Sequence, residues 1–301
     1  MNGYEEGGAK LKTSMGEFGK KILREIVPYG MYKRISRCYA QKISNIFSFE
    51  VQLADHCNLN CVGCSHFSPV ADRHFLSVDE YEKDCNAFAQ LAKKYVREIH
   101  LMGGEPLLHK GISEIIKISR SNFSDCAIVI VTNGILLDNM GENFWDVCKS
   151  NNVVIKITPY PININVKEIC RLSMKHGVCI ESHTDDSVYK MKFRKDVYDP
   201  DGLQKNWHSF KKCSKKICHH LYNGKFYMCP APAYIKYINK FFEKDFKVTM
   251  EDYIDIYSVK DARTILDYIK KPIPFCRYCD MDATDHNVVW SISKREISEW
   301  M

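Results

Sequence analysis

From Phe47 onward, apolar and polar residues alternate: Phe47, Phe49, Val51 and Leu53 against Ser48, Glu50 and Gln52. A two-residue period predicts a half-buried strand. This strand runs straight into a cysteine-rich loop, and beyond the loop the period changes. In SVDEYEKDCNAFAQLAKKYV, residues Tyr81, Cys85, Phe88, Leu91 and Tyr95 form a helical apolar stripe. Ser77 is the expected N-cap, with Glu80 placed to close a capping box. The alternation repeats with strands over 97–104, 126–134, 153–161 and 177–183, and helices over 111–121, around 141–150 and near 166–176. Alternating strands and helices imply βα units and a parallel sheet, open or closed into a barrel. Active groups then belong on the loops leaving the strands' C-terminal ends, here HCNLNCVGC, GGEP, TNG and TPYP.

Past about residue 190 the rhythm stops at a polar, turn-rich connector, DVYDPDGLQKNW. The pattern predicts a core over 47–200 and a smaller C-terminal domain over 201–301. Residues 10–46 are basic, with Phe18, Ile22, Ile26 and Val27 at helical spacing and Pro28 and Gly30 as breaks. A helical extension over 1–46 is expected, docked on the main domain. Its sharper reading is a weak docking surface for an anionic membrane face or a partner.

Composition narrows the class. The 301 residues are 45% hydrophobic and 27% charged, a soluble globular balance. No stretch approaches the ~20 apolar residues of a membrane span, and the first residues hold no apolar signal core, so a cytoplasmic location is expected. Fourteen cysteines without an export signal, several at metal-ligand spacing, point to reduced thiols on metal rather than disulfides. A net charge of +6 is mild, and no nucleic-acid partner is expected.

Cys57, Cys61 and Cys64 lie within eight residues. Closed zinc and iron–sulfur sites each take four ligands, so three thiolates leave a position open. His56 and His66 could complete a zinc site, and spacing alone does not exclude it. Paired with Gly103–Gly104–Glu105–Pro106 after the second strand, however, this loop resembles the radical S-adenosylmethionine (SAM) superfamily over roughly residues 47–190.

The resemblance implies a partial (βα)6 barrel and a [4Fe–4S] cluster whose open iron is chelated by the methionyl amine and carboxylate of SAM. Reduction by a flavodoxin or ferredoxin would then yield a 5′-deoxyadenosyl radical that abstracts hydrogen from substrate. Gly103 and Gly104 would let the backbone approach the methionyl ammonium, with Glu105 as an added acceptor. Thr132, Asn133 and Thr158, at the ends of the third and fourth strands, are candidates for cofactor contact. The family usually carries an aromatic residue before the third cysteine; here it is Gly63, which leaves Phe67 as the candidate adenine contact.

A second group follows: Cys213, Cys218, Cys229, Cys276 and Cys279. With Gly224 in a tight hairpin turn, residues 205–285 resemble the twitch form of the SPASM domain, which carries one auxiliary [4Fe–4S] cluster. Cys229, Cys276 and Cys279 are the expected ligands, with Cys213 or Cys218 as the fourth. A structural zinc is the plainer alternative. The remaining cysteines, at 38, 85, 126, 148, 170 and 179, are expected to be buried core thiols, and His219–His220 a surface pair.

An auxiliary cluster suits dehydrogenation of a polar, sugar- or cyclitol-like substrate, and epimerisation is close behind. A peptide-modifying enzyme is the alternative. From another class comes a non-enzymatic iron–sulfur or zinc-binding interaction protein, which would leave GGEP and the βα framework unexplained. No catalytic residue is identified from the sequence.

Overall fold

A computed structural model describes residues 46–158, 160–181 and 192–301. The extension expected before residue 46 lies outside them. Strand β1 (Phe47–Ala54) opens the alternation, followed by α1 (Val78–Ala92), β2 (Val96–Gly103), α2 (Ile112–Asn122), β3 (Ala127–Thr132), α3 (Glu142–Ser150), β4 (Val153–Ile157), α4 (Val166–His176) and β5 (Cys179–Glu181). Ser77 caps α1 by accepting from Glu80 N. All adjacent pairs among these five strands are parallel.

The rest of the chain is β6 (Lys192–Tyr198), α5 (Asn206–Lys212), β7 (His219–Tyr222), β8 (Lys225–Tyr227), α6 (Pro230–Tyr234), α7 (Lys236–Phe242), β9 (Tyr253–Asp255), α8 (Ala262–Tyr268) and β10 (Cys279–Val289). It does not fold as a separate layer. Strand β7 pairs in parallel with β1, and β8 and β9 continue antiparallel, giving one eight-stranded sheet in the order β5-β4-β3-β2-β1-β7-β8-β9. The result is a mixed α/β fold with a mostly parallel sheet, as a partial TIM-like barrel requires. Its sixth parallel strand, β7, extends the β1 side. The expected break near residue 200 falls inside one compact unit, residues 45–301. Strand β6, from before the connector, pairs antiparallel with β10.

The two faces of β1 differ. Phe49 packs edge-on against Phe88 of α1 at 5.1 Å between centroids, with Phe123 at 5.5 Å. Burying each such ring contributes about 1.5–3 kcal/mol. Glu50 and Gln52 point to the opposite face and are also buried. Parallel register sets Glu50 between His100 of β2 and His220 of β7, a polar row across three strands.

The β7–β8 hairpin turns at Asn223 and Gly224, whose φ values of 49° and 69° suit the Asn-Gly pair. Asp84 of α1 holds it: Gly224 N–H donates to Oδ2 at 2.7 Å, and Tyr257 Oη donates to Oδ1 at 2.6 Å. Of the cysteines expected in the core, Cys85, Cys126 and Cys148 are buried, whereas Cys170 is half-buried and Cys179 exposed. Cys179 opens β5, which lies at the edge of the sheet. Among the described residues no helix is long and apolar enough to cross a membrane.

Asp84→Ala strips the acceptor from a buried backbone N–H, an omission that costs about 1–3 kcal/mol. Denaturant unfolding should show that loss, whereas an unchanged midpoint would mean the hairpin is held by its sheet pairing alone.

Candidate functional site

The cysteine loop is built on backbone contacts with the loop after β2. Gly104 N–H donates to Ala54 O at 2.7 Å, and Glu105 N–H to His56 O at 3.2 Å. A Cβ on Gly104 would lie 2.0 Å from His56 O and 2.9 Å from Cys57 N; one on Gly103, at φ +143°, would lie 2.5 Å from Ala54 O. The glycines therefore serve the approach of one loop to the other, a reason the sequence reading did not anticipate.

Glu105 is fully buried and its carboxylate is already engaged. Oε1 accepts from Thr132 Oγ1 at 2.7 Å and from Leu107 N at 3.1 Å, and Oε2 accepts from Asn133 N at 3.0 Å. Burial raises its pKa, and these three donors act against the rise. Instead of offering a free acceptor, Glu105 ties the GGEP loop to the TNG loop. Asn133 carries the tie onward, donating to Asn58 Oδ1 at 2.7 Å, with Cys57 Sγ at 3.8 Å. Pro106 starts a buried 3-10 turn, and Thr158 N–H donates to Thr132 O at 2.9 Å. Four strand ends are thus gathered around the cysteines.

Cys57, Cys61 and Cys64 are half-buried, and all three thiols act on the Tyr160 hydroxyl. Burial pushes the Cys57 thiol up to about 12, so ligation there displaces a proton. Gly63 sits at φ 58°, a left-handed turn that an L side chain disfavours, which accounts for glycine between the second and third cysteines. Phe67, expected beside an adenine, is instead fully buried against Tyr198 and Trp300, with centroids 5.8 and 6.4 Å away.

The sequence reading missed the C-terminal segment. Val62 N–H donates to Ser291 O at 2.9 Å and Ser293 N–H to Asn60 O at 2.8 Å, so residues 291–293 pair with the cysteine loop. Trp290 Nε1 donates to Cys61 Sγ at 3.2 Å, and Trp300 Nε1 to Cys64 O at 3.0 Å. The only sequence signal was two tryptophans after the last cysteine.

Cys213, Cys229, Cys276 and Cys279 line one apolar cavity with Phe210, Met228 and Phe275. Cys218 is not in that lining; it lies against the Glu50 carboxylate on the face of the sheet opposite the helices. The fourth thiol of the second group is therefore Cys213. His219 and His220 are buried, not a surface pair, because β7 joins the sheet beside β1. Burial drives His219 down to about 4, and its Nδ1–H donates to Met228 O at 2.9 Å.

A tetrahedral zinc at Zn–S of about 2.3 Å needs sulfurs about 3.8 Å apart. Among the described residues no three cysteines bring their sulfurs within 4.8 Å of one another, and the His66 ring lies 5.5 Å from that of His220.

Two measurements check this arrangement. Gly104→Ala must push the cysteine loop off its seat, so the variant should retain less than about half the iron of the first site after reconstitution, taking a cubane as about four irons; full loading would show that the loops can separate. A variant lacking Cys57, Cys61 and Cys64 should still hold about four irons, whereas zinc in their place would make the second group a structural zinc site.

A family model described as the radical SAM superfamily matches residues 51–171. Among solved structures, BtrN in complex with AdoMet and 2-DOIA aligns at 16% identity and a TM-score of 0.47, covering 77% of this chain and 92% of that one. Native anSMEcpe with bound AdoMet aligns at 16% and 0.35, covering 45% and 43%. Streptococcus suis SuiB bound to S-adenosylmethionine aligns at 13% and 0.37, covering 51% and 38%. The family match spans the three-cysteine loop, the GGEP loop locked to it and the TNG loop clamped by Glu105, so the matched residues 51–171 carry the radical SAM superfamily pattern.

Proposed function

We propose that this radical SAM enzyme acts on a polar small molecule of sugar or cyclitol type, by dehydrogenation or epimerisation, with an auxiliary cluster on Cys213, Cys229, Cys276 and Cys279. The single observation that carries the substrate class is the polar row on the face of the sheet turned away from Phe49 and α1. Glu50, Gln52, Glu98, His100 and His220 are buried or nearly so where an apolar substrate would need aliphatic side chains.

The charges in that row are mutually supporting. Glu50 Oε2 lies 2.8 Å from His220 Nε2 and Oε1 lies 3.9 Å from His100 Nδ1, while His100 Nε2 reaches Glu98 Oε2 at 2.9 Å. Burial would raise the Glu50 pKa, but the two imidazoles outweigh it and hold the carboxylate well below its usual range. Burial likewise acts to lower His100, and Glu50 and Glu98 reverse that and raise it. Glu50 and His100 are thus kept as a charged pair that can orient substrate hydroxyl or amino groups and exchange a proton with them.

Bound at Cys57, Cys61 and Cys64, a [4Fe–4S] cluster with SAM, reduced by a flavodoxin or ferredoxin, would supply the radical that removes a substrate hydrogen. The chain's part is to seat the cofactor against the backbone of residues 103–106, with Thr132, Asn133 and Thr158 at the same strand ends. Trp290 and Tyr160, with ring centroids 6.0 Å apart, screen the loop from water. Cys218, outside the second thiol group and beside Glu50, would be the hydrogen-atom donor for epimerisation. A peptide substrate is the second reading.

The test is anaerobic turnover of reconstituted, reduced enzyme with SAM and a panel of deuterated nucleotide sugars, cyclitols and peptides. Deuterium transfer from a sugar or cyclitol into 5′-deoxyadenosine is expected; transfer only from a peptide, or no 5′-deoxyadenosine with any of them, overturns the reading. In deuterium oxide an epimerase product gains one deuterium and Cys218→Ala abolishes it, whereas a dehydrogenase product loses two mass units and survives that substitution.

A further inference from the structure

Glu50, His66 and His220 come from three separate segments: β1, the end of the cysteine loop and β7. One ligand atom from each lies within 4.8 Å of the other two. Neither cysteine group includes them, and the radical chemistry assigns His66 no task. We propose that these three residues form a second, cysteine-free metal site for a divalent ion of the zinc class.

The orientation of His220 carries the argument beyond proximity. The residue is fully buried, and its Nε2 makes no hydrogen bond. Glu50 Oε2 is nevertheless 2.8 Å away. The two atoms are thus in contact without a hydrogen bond of ordinary geometry. With a ligand atom of His66 within 4.8 Å of both, the three can share one ion between them. In a tetrahedral site with bonds of about 2.0–2.1 Å, donors stand about 3.4 Å apart, so a small opening of the pair admits an ion. Nδ1 of His220 lies 3.3 Å from Tyr234 Oη; with a metal in place of the Nε2 proton, Nδ1–H would donate to that hydroxyl. A hydrogen-bonded outer partner of this kind orients metal-binding imidazoles. His66 is drawn to the same place, its ring 5.5 Å from that of His220 and 6.1 Å from that of Tyr234.

Two imidazoles and one carboxylate select the ion. Calcium and magnesium demand more oxygen ligands, and copper(I) prefers sulfur. Zinc takes this donor set with one position left open, the arrangement of a reactive rather than a structural site. The open position would hold water or one substrate oxygen. Because His66 follows Cys64 by two residues, an ion here would also fasten the cysteine loop to β7. Cys218 touches Glu50 but stands outside the converging set.

Cluster-loaded protein, kept anaerobic, is dialysed against zinc(II) and desalted; zinc and iron are then measured by mass spectrometry, and the zinc environment by X-ray absorption. Wild type should keep about one zinc per chain with a nitrogen/oxygen shell near 2.0 Å and no sulfur shell near 2.3 Å. His220→Ala and Glu50→Gln should lower zinc roughly tenfold with iron unchanged, and Cys218→Ala should keep it, as a three-ligand set requires. Should His220→Ala also lose iron or fail to fold, His66→Gln, at a half-buried loop position, decides. Absence of stoichiometric zinc in wild type, retention of zinc by His66→Gln or His220→Ala, or a sulfur shell would each overturn the site.

Discussion

Everything at the reactive end of this sheet rests on one close approach, the Gly104 backbone against the peptide joining His56 to Cys57. With a Cβ that would fall 2.0 Å from a carbonyl oxygen, no residue but glycine lets the strand-end loop lie there. Glu105, the next residue, then reaches the TNG loop, and Asn133 reaches back to Asn58 in the cysteine loop. Three loops that are far apart in sequence become one rigid frame. A glycine pair that looks like a cofactor contact is first a packing device, and the cysteine loop takes its position from it.

The two thiol groups are held differently because their surroundings differ. The first sits on a loop, half-buried, sealed from one side by residues 290–293 of the C-terminal segment. Three ligands there would leave a coordination position for a small molecule. The second group gathers four thiols inside an apolar cavity between α5, the segment after β8 and the turn before β10, where nothing but the protein can complete the site. An open site beside a polar face and a closed one in an apolar wall suit chemistry and electron storage respectively.

Between them runs the row of buried charges. Burial of Glu50 or Glu98 alone would be strongly unfavourable; in register each has an imidazole beside it, His100 for both and His220 for Glu50. Such a row contributes little to stability that well-packed aliphatic residues would not, so its presence on the face away from the helices speaks for binding rather than folding.

Much of the fold was legible in the sequence. Phe49 through Leu53 have a period of two, and Tyr81 through Tyr95 a helical one, because local geometry alone decides which side chains share a face. The cysteine and GGEP motifs were legible for the same reason: their chemistry depends on short spacings within one loop. Whether Cys213 or Cys218 joins Cys229 was not, since the two are five residues apart and either could reach; only the tertiary structure sets Cys213 in the cavity lining with Cys229 and Cys218 against Glu50. The pairing of β7 with β1 buries His219 and His220 and sets His220 beside Glu50, a partner 170 positions earlier in the chain. Trp290 and Phe67 follow the same rule. Sequence by itself determined the elements, the motifs and the superfamily, which are properties of neighbouring residues. Tertiary structure alone decided which distant side chains meet, because sheet register and the direction of the C-terminal segment are set by packing of the whole core.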